Sequence, residues 1–221
     1  MSTDARVIQV LKEAATKAFS DLRAAHSGEQ FYAFALYTDD DAAGIAPAAN
    51  TEGALAERLA QYKFKNPLDV LSVRWNTGEW KFAMVGAEHF GPSDALLAEV
   101  EKAAGTFKKY RQRVFDAMIG ALAALDREGF FGVGADRERA TLLCAVTDAD
   151  KAGEQFSERS IRELNPPSVI AAYEDAWKKA ESAPRVDGGP PCPKCGQPLR
   201  TAKAQQCFKC GAKWHGQSAP K

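Results

Sequence analysis

Two periodicities alternate along the first 180 residues. Val7, Ile8, Leu11, Ala15, Phe19 and Leu22 recur on one helical stripe, opposite Lys12, Glu13, Lys17 and Arg23, and predict a helix over residues 4–25. Gly28 ends it. Residues 31–38 (FYAFALYT) are apolar on both alternating faces, the signature of a strand covered on both sides. Residues 45–49 suggest a short second strand, and Thr51 suits the N-cap of a helix running to about residue 62. Between 70 and 84, Leu71, Val73 and Trp75 alternate with Ser72 and Arg74, and Trp80, Phe82 and Met84 resume the alternation. With Asn76-Thr77-Gly78 between them, these runs predict a β-hairpin.

Gly91-Pro92-Ser93-Asp94 predicts a helix start with Ser93 as cap. The row Tyr110, Val114, Met118, Leu122 and Leu125 predicts a long helix over 108–128, closed by Gly129. A second dense apolar strand occupies 141–146, followed by a helix over 153–162. Asn165-Pro166-Pro167-Ser168 breaks the chain, and Ile170, Tyr173 and Trp177 face inward on a last helix over 169–180.

Interleaved helices and strands with a hairpin among them indicate an α+β domain over residues 1–180. Its sheet is expected to be mixed or antiparallel, with four to six strands under covering helices. Residues 181–191 (ESAPRVDGGPP) contain five Gly or Pro and no periodicity, so they read as a linker. A small module over 192–215 and a disordered tail over 216–221 follow.

Both dense strands end in acid. Thr38-Asp39-Asp40-Asp41-Ala42-Ala43-Gly44 and Thr147-Asp148-Ala149-Asp150-Lys151-Ala152-Gly153 agree at five of seven positions. The likeness suggests a duplication, although convergent turn chemistry yields the same pattern. Asp39, Asp40, Asp41, Asp148 and Asp150 have three readings: turn formers and caps, an acidic lip that binds a protein, or oxygen ligands for a divalent cation. Against a calcium loop, the twelfth positions counted from Asp39 and Asp148 are Asn50 and Arg159 rather than Glu.

Charge adds an asymmetry. Lys+Arg and Asp+Glu both total 29, but the residues from Cys192 onward carry six basic and no acidic groups. The body is therefore acidic, by six charges, and a poor general nucleic-acid binder. No apolar run approaches the roughly 18 residues of a membrane span, and the first residues lack a secretory pattern, so a cytoplasmic protein is expected.

The strongest chemical signal is Cys192-Pro-Lys-Cys195-Gly with Cys207-Phe-Lys-Cys210-Gly, two knuckles eleven residues apart. A two-residue gap lets one turn present both thiolates to one ion, and the following glycine allows the left-handed backbone that aims amides at sulfur. The pattern predicts a zinc ribbon holding one structural Zn²⁺, because four thiolates leave no open coordination position. A segment this short buries no core, so the metal supplies its folding energy. His215 could serve as a spare ligand, but the second pair completes the set and a surface histidine is the preferred reading. Lys194, Arg200, Lys203, Lys209 and Lys213, with Phe208 and Trp214, have the basic and aromatic mix that stacks on single-stranded nucleic acid. The preferred reading is plainer: Phe208 and Trp214 form a mini-core and the lysines keep the small module soluble.

Cys144 lies inside an apolar strand and reads as a small hydrophobe. His26 and His89 are isolated, and no nucleophile motif, phosphate-binding glycine loop or dinucleotide fingerprint is present. Arg74, Trp75 and Trp80 flank the expected hairpin turn and read as core before interface anchors.

FYAFALYTDDDAAGIAPAANT, the RWNTGEW segment and ERSIRELNPP together resemble a bacterial family known as a domain of unknown function, numbered 4303. The resemblance covers residues 4–180, leaves the zinc ribbon as an added module, and transfers no catalytic motif. By analogy, small families of this kind resemble the immunity proteins encoded beside polymorphic toxins. The residues and the resemblance together favour a non-enzymatic protein-interaction module with the five aspartates at its binding edge. Two alternatives stay open: a divalent-metal-dependent enzyme using the Asp-rich strand ends, and a nucleic-acid binder using the ribbon.

Overall fold

The computed structural model describes residues 2–62, 66–183, 192–196, 206–207 and 210–213. The chain runs α1 (Thr3–Ala25), β1 (Phe31–Thr38), β2 (Ile45–Thr51), α2 (Glu52–Tyr62), α3 (Pro67–Trp75), β3 (Phe82–Ala83), α4 (Gly91–Ala104), α5 (Phe107–Arg127), β4 (Thr141–Val146), α6 (Lys151–Leu164) and α7 (Pro167–Ser182). It is an α+β fold around a four-stranded mixed sheet in the order β3-β2-β1-β4. β1 pairs antiparallel with β2 and parallel with β4, while β3 pairs antiparallel with β2. No helix among the described residues is long and apolar enough to cross a membrane.

Both faces of the sheet are covered, as the unbroken apolar character of β1 and β4 requires. Phe34, Leu36, Leu142 and Cys144 point into the larger core with α1, α4 and α5. Ala33, Ala35 and Leu143 point the other way, toward Leu55 of α2, Val73 of α3 and Ile161 of α6. A bulge between Phe31 and Ala33 shifts the alternation, so Phe31 shares a face with Phe34, their rings stacked 5.4 Å apart. α1 and α5 form the main layer of the larger core. Leu11, Ala15, Met118, Ala121 and Leu122 are among its least exposed residues.

The expected hairpin over 70–84 is the main correction. Residues 67–75 form the helix α3, and the return run keeps only the two-residue strand β3. The local chemistry favours a helix start: Asn66 accepts a hydrogen bond from Leu68 N at 3.2 Å, and Pro67 occupies the first turn. Leu71 and Trp75, read as strand alternation, are also one helical turn apart, and Trp75 meets Tyr173 of α7 at 5.2 Å. Asn76 caps a short 3₁₀ turn over Thr77–Glu79 instead of leading a hairpin turn.

A second correction concerns α4, which starts at Gly91 with Pro92 in its first turn. Ser93 lies inside the helix, buried, its hydroxyl donating to Phe90 O at 2.7 Å. On α7 the buried residues are Val169 and Ala180, whereas Ile170, Tyr173 and Trp177 are half-buried. The remaining elements follow the sequence pattern closely, including Thr51, whose hydroxyl accepts from Ala54 N at 3.1 Å at the start of α2.

β4 lies at an edge of the sheet, where no strand among the described residues pairs with its outer backbone groups. Side chains of α6 and its C-terminal flank take that place. Asn165 accepts from Leu142 N at 2.8 Å and donates to Leu142 O at 2.7 Å, as a neighbouring strand would. Further along, Cys144 N donates to Ser160 Oγ at 2.8 Å. Both polar side chains are buried.

Candidate functional site: an acidic lip and a four-cysteine cluster

The parallel pairing of β1 and β4 decides where the acidic turns lie. Thr38 is in register with Val146, and Thr147 N continues the ladder by donating to Thr38 O at 2.9 Å. Both strands therefore end side by side, and the two turns form one edge. Asp39, Asp40, Asp41, Asp148 and Asp150 are all exposed there.

Beneath them is a residue that the sequence reading passed over. Arg111 of α5 has a side chain only 10% exposed. It forms a two-pronged pair with Asp150, both nitrogen–oxygen distances being 2.8 Å, and approaches Asp40 at 3.8 Å. Its signal was a charge on an apolar face, one helical turn before the buried Phe115. The pairing has an electrostatic consequence. Arg111 first, and then the Gly153 N–H donated to Asp150 at 2.8 Å, hold the Asp150 carboxyl down to about 2. Reciprocally, Asp150 raises the pKa of Arg111.

The five aspartates divide by role. Asp150 is the N-cap of α6, and Asp39 accepts from Ala43 N at 2.9 Å within its own turn. The Tyr110 hydroxyl braces that turn by donating to Ala42 O at 2.6 Å. Asp40 nears Arg111, and Asp40 and Asp41 add to the negative charge that favours its guanidinium.

The two turns, alike in sequence, differ in backbone. The left-handed residue is Ala42 (φ 53°) in the first and Asp148 (φ 52°) in the second, which are not aligned positions. One turn leads into a strand and the other into a helix. The shared glycines also differ. A Cβ on Gly153 would meet Ala149 Cβ at 3.0 Å, Val146 Cβ at 3.2 Å and Arg111 Nη2 at 3.3 Å, whereas one on Gly44 would meet nothing within 4 Å. Turn chemistry accounts for the resemblance between the segments better than duplication does.

In the C-terminal module the four cysteine sulfurs all lie within 4.8 Å of one another. Cys192 Sγ is 3.7 Å from Cys210 Sγ, and Cys195 Sγ is 3.7 Å from Cys207 Sγ. Each knuckle closes the same way: Gly196 N donates to Cys192 O at 2.9 Å and Gly211 N to Cys207 O at 2.8 Å, with both glycines at φ 71°. That left-handed conformation is the one the sequence pattern required. A bridge between Gln206 and Lys213 ties the second knuckle together. Among the described residues, no other group of three or more His, Cys, Asp or Glu gathers its ligand atoms so closely. The cluster could hold a metal ion.

Lys194 and Lys213 are exposed beside the cluster. Arg200, Lys203, Phe208, Lys209, Trp214 and His215 lie outside the described residues. Cys144 is fully buried in β4, and burial pushes its thiol well up, which removes it as a nucleophile.

The family described as "Domain of unknown function (DUF4303)" matches residues 11–166. No curated protein and no solved structure matches the chain.

Proposed function

From the premise that the chain belongs to this family of unknown function, we propose on its own residues that it is a non-enzymatic binding protein. Its acidic lip would capture a protein partner with a basic face, and its C-terminal module would fold around one structural zinc ion. The observation that carries the first part is the side-by-side exit of β1 and β4, which gathers five exposed carboxylates over one buried guanidinium. Such an edge steers and orients a basic partner, accelerating encounter more than it deepens affinity. A basic toxin, the partner of the immunity-type reading, has this chemistry.

Asp39 and Asp150 are engaged by backbone N–H groups, so the lip presents a braced surface rather than a set of free oxygens converging on an ion. This favours binding over the metal-dependent enzyme reading. The zinc assignment rests on the 3.7 Å sulfur separations, close to the edge of about 3.8 Å for a tetrahedron with Zn–S bonds of about 2.3 Å. Four thiolates fill that coordination shell, so zinc bound there would stabilise the module rather than activate water.

The test changes Asp39, Asp40, Asp41 and Asp148 together to asparagine and leaves the capping Asp150 intact. With the partner recovered from native extract, the association rate at low salt should fall about tenfold or more, and its dependence on salt should flatten. An unchanged rate and salt slope would sink the reading.

A further inference from the structure

At the opposite end of β1 from the acidic lip, a cavity of about 460 Å³ opens between the end of α1, the start of β1 and the segment after α5. Arg23 lines it together with Phe31, Phe34 and Phe131. The guanidinium carbon is 4.6 Å from the Phe34 ring centre and 4.7 Å from that of Phe130, so aromatic rings crowd the cation. Nη1 donates to Phe130 O at 2.7 Å, which holds the side chain in place.

Arg23 differs from the other inward-facing arginines. Arg74, Arg111 and Arg137 each pair with a carboxylate, from Glu52, Asp150 and Asp126 respectively. Among the described residues, Arg23 makes no ion pair, and burial alone lowers its pKa. The acids around the cavity are engaged elsewhere. Asp136 pairs with Arg139 at 3.2 Å, and Glu29 pairs with His26 at 3.3 Å and accepts from the Thr51 hydroxyl. A partly desolvated, uncompensated guanidinium at an aromatic-lined cavity calls for an anion.

We propose that this cavity binds a small aromatic monocarboxylate, with the carboxylate on Arg23 and the ring against the half-buried Phe31, behind which Phe34 and Phe131 are buried. One uncompensated positive charge matches a single negative charge. A phosphate dianion would be left in excess, with Glu29 and Asp136 nearby. Phe31 supplies apolar contact in offset geometry, as it already does to Phe34. Its wall sets Phe31, Phe34 and Phe131 beside polar groups, of which Arg139 is already paired with Asp136 and Glu29 with His26, so that Arg23 is the cation left to orient a ligand. It is independent of the lip, and either proposal can fail without the other.

The test titrates benzoate into the full-length protein and follows backbone amide resonances by two-dimensional NMR, with the uncharged isostere benzamide as control. Benzoate should shift the amides of Phe31, Phe34 and Phe131 saturably, with a dissociation constant on the order of 1–10 mM, and benzamide should bind about tenfold or more weakly. Arg23→Gln should weaken benzoate by a similar factor. Since that change also removes the bond to Phe130 O, a second variant leaves Arg23 intact: Ser27→Trp, at an exposed rim position, should block the cavity. No shift at these amides, equal binding of benzamide, or undiminished binding by Ser27→Trp would each overturn the proposal.

Discussion

Single polar residues hold this fold at places where the apolar pattern offers nothing. Asn165 is the clearest. Its side-chain amide serves as the missing neighbour of β4, and it also donates to Ile161 O at 2.9 Å. Asn165→Ala would strand the buried Leu142 N–H and C=O, costing about 2–4 kcal/mol in denaturant unfolding. In the sequence Asn165 was legible only as part of a chain break before two prolines, because its strand partner Leu142 is 23 residues upstream. Asp150 was legible as an acid after a strand, but Arg111, 39 residues away, was not. Its depressed pKa gives that pair a pH signature. A carboxylate whose folded pKa lies below its unfolded value stabilises above the unfolded pKa and ceases to do so as pH falls through the folded one. Asp150→Asn should therefore be less stable than the parent at neutral pH. The gap should close between the ordinary Asp value near 4 and about 2, as followed by thermal melts across that range. A gap independent of pH would show that capping and packing, not charge, set the difference.

Among the elements, the sequence pattern located the long helices and the dense strands but mistook the short run over 70–84 for a hairpin. α1 and α5 repeat their apolar stripe over many turns, and β1 and β4 are too apolar for any surface position, so each pattern has one solution. Over 70–75 the apolar residues fit both periods, and only Asn66 and Pro67 at the start favoured a helix. The chain after α3 is then turned by glycine. Gly86 has φ 86°, and a Cβ there would lie 2.6 Å from Ala18 Cβ and 3.0 Å from Ala18 Cα on α1. Conformation and space both exclude a side chain, since neither atom of Ala18 can swing aside. Gly86→Ala should lose about 2–4 kcal/mol in equilibrium unfolding, more than an ordinary glycine substitution in a loop. A loss below about 1 kcal/mol would mean that the segment around Gly86 shifts off α1 at little cost.

For the whole molecule, the sheet carries the lip, and the four cysteines form a cluster that could hold a metal ion. One metal ion per chain is expected, released by a strong chelator and identified as zinc by elemental analysis. Cys192→Ser should abolish that stoichiometry while the cooperative melt of the α+β body stays within about 2 °C of the parent. Iron in place of zinc would correct the metal, and a collapsed melt would show that the body depends on the module. The sequence by itself determined the four-cysteine cluster, the helical and strand stripes and the acid at both strand ends. Each is written in residues close together in the chain, where spacing alone dictates which side chains can meet. Only the tertiary structure decided that β1 and β4 are parallel neighbours, that their acidic turns form one edge over Arg111, and that Arg23 lies among rings with no carboxylate partner among the described residues. Those contacts join residues tens of positions apart, and no local period records which strand pairs with which or which cation finds a carboxylate.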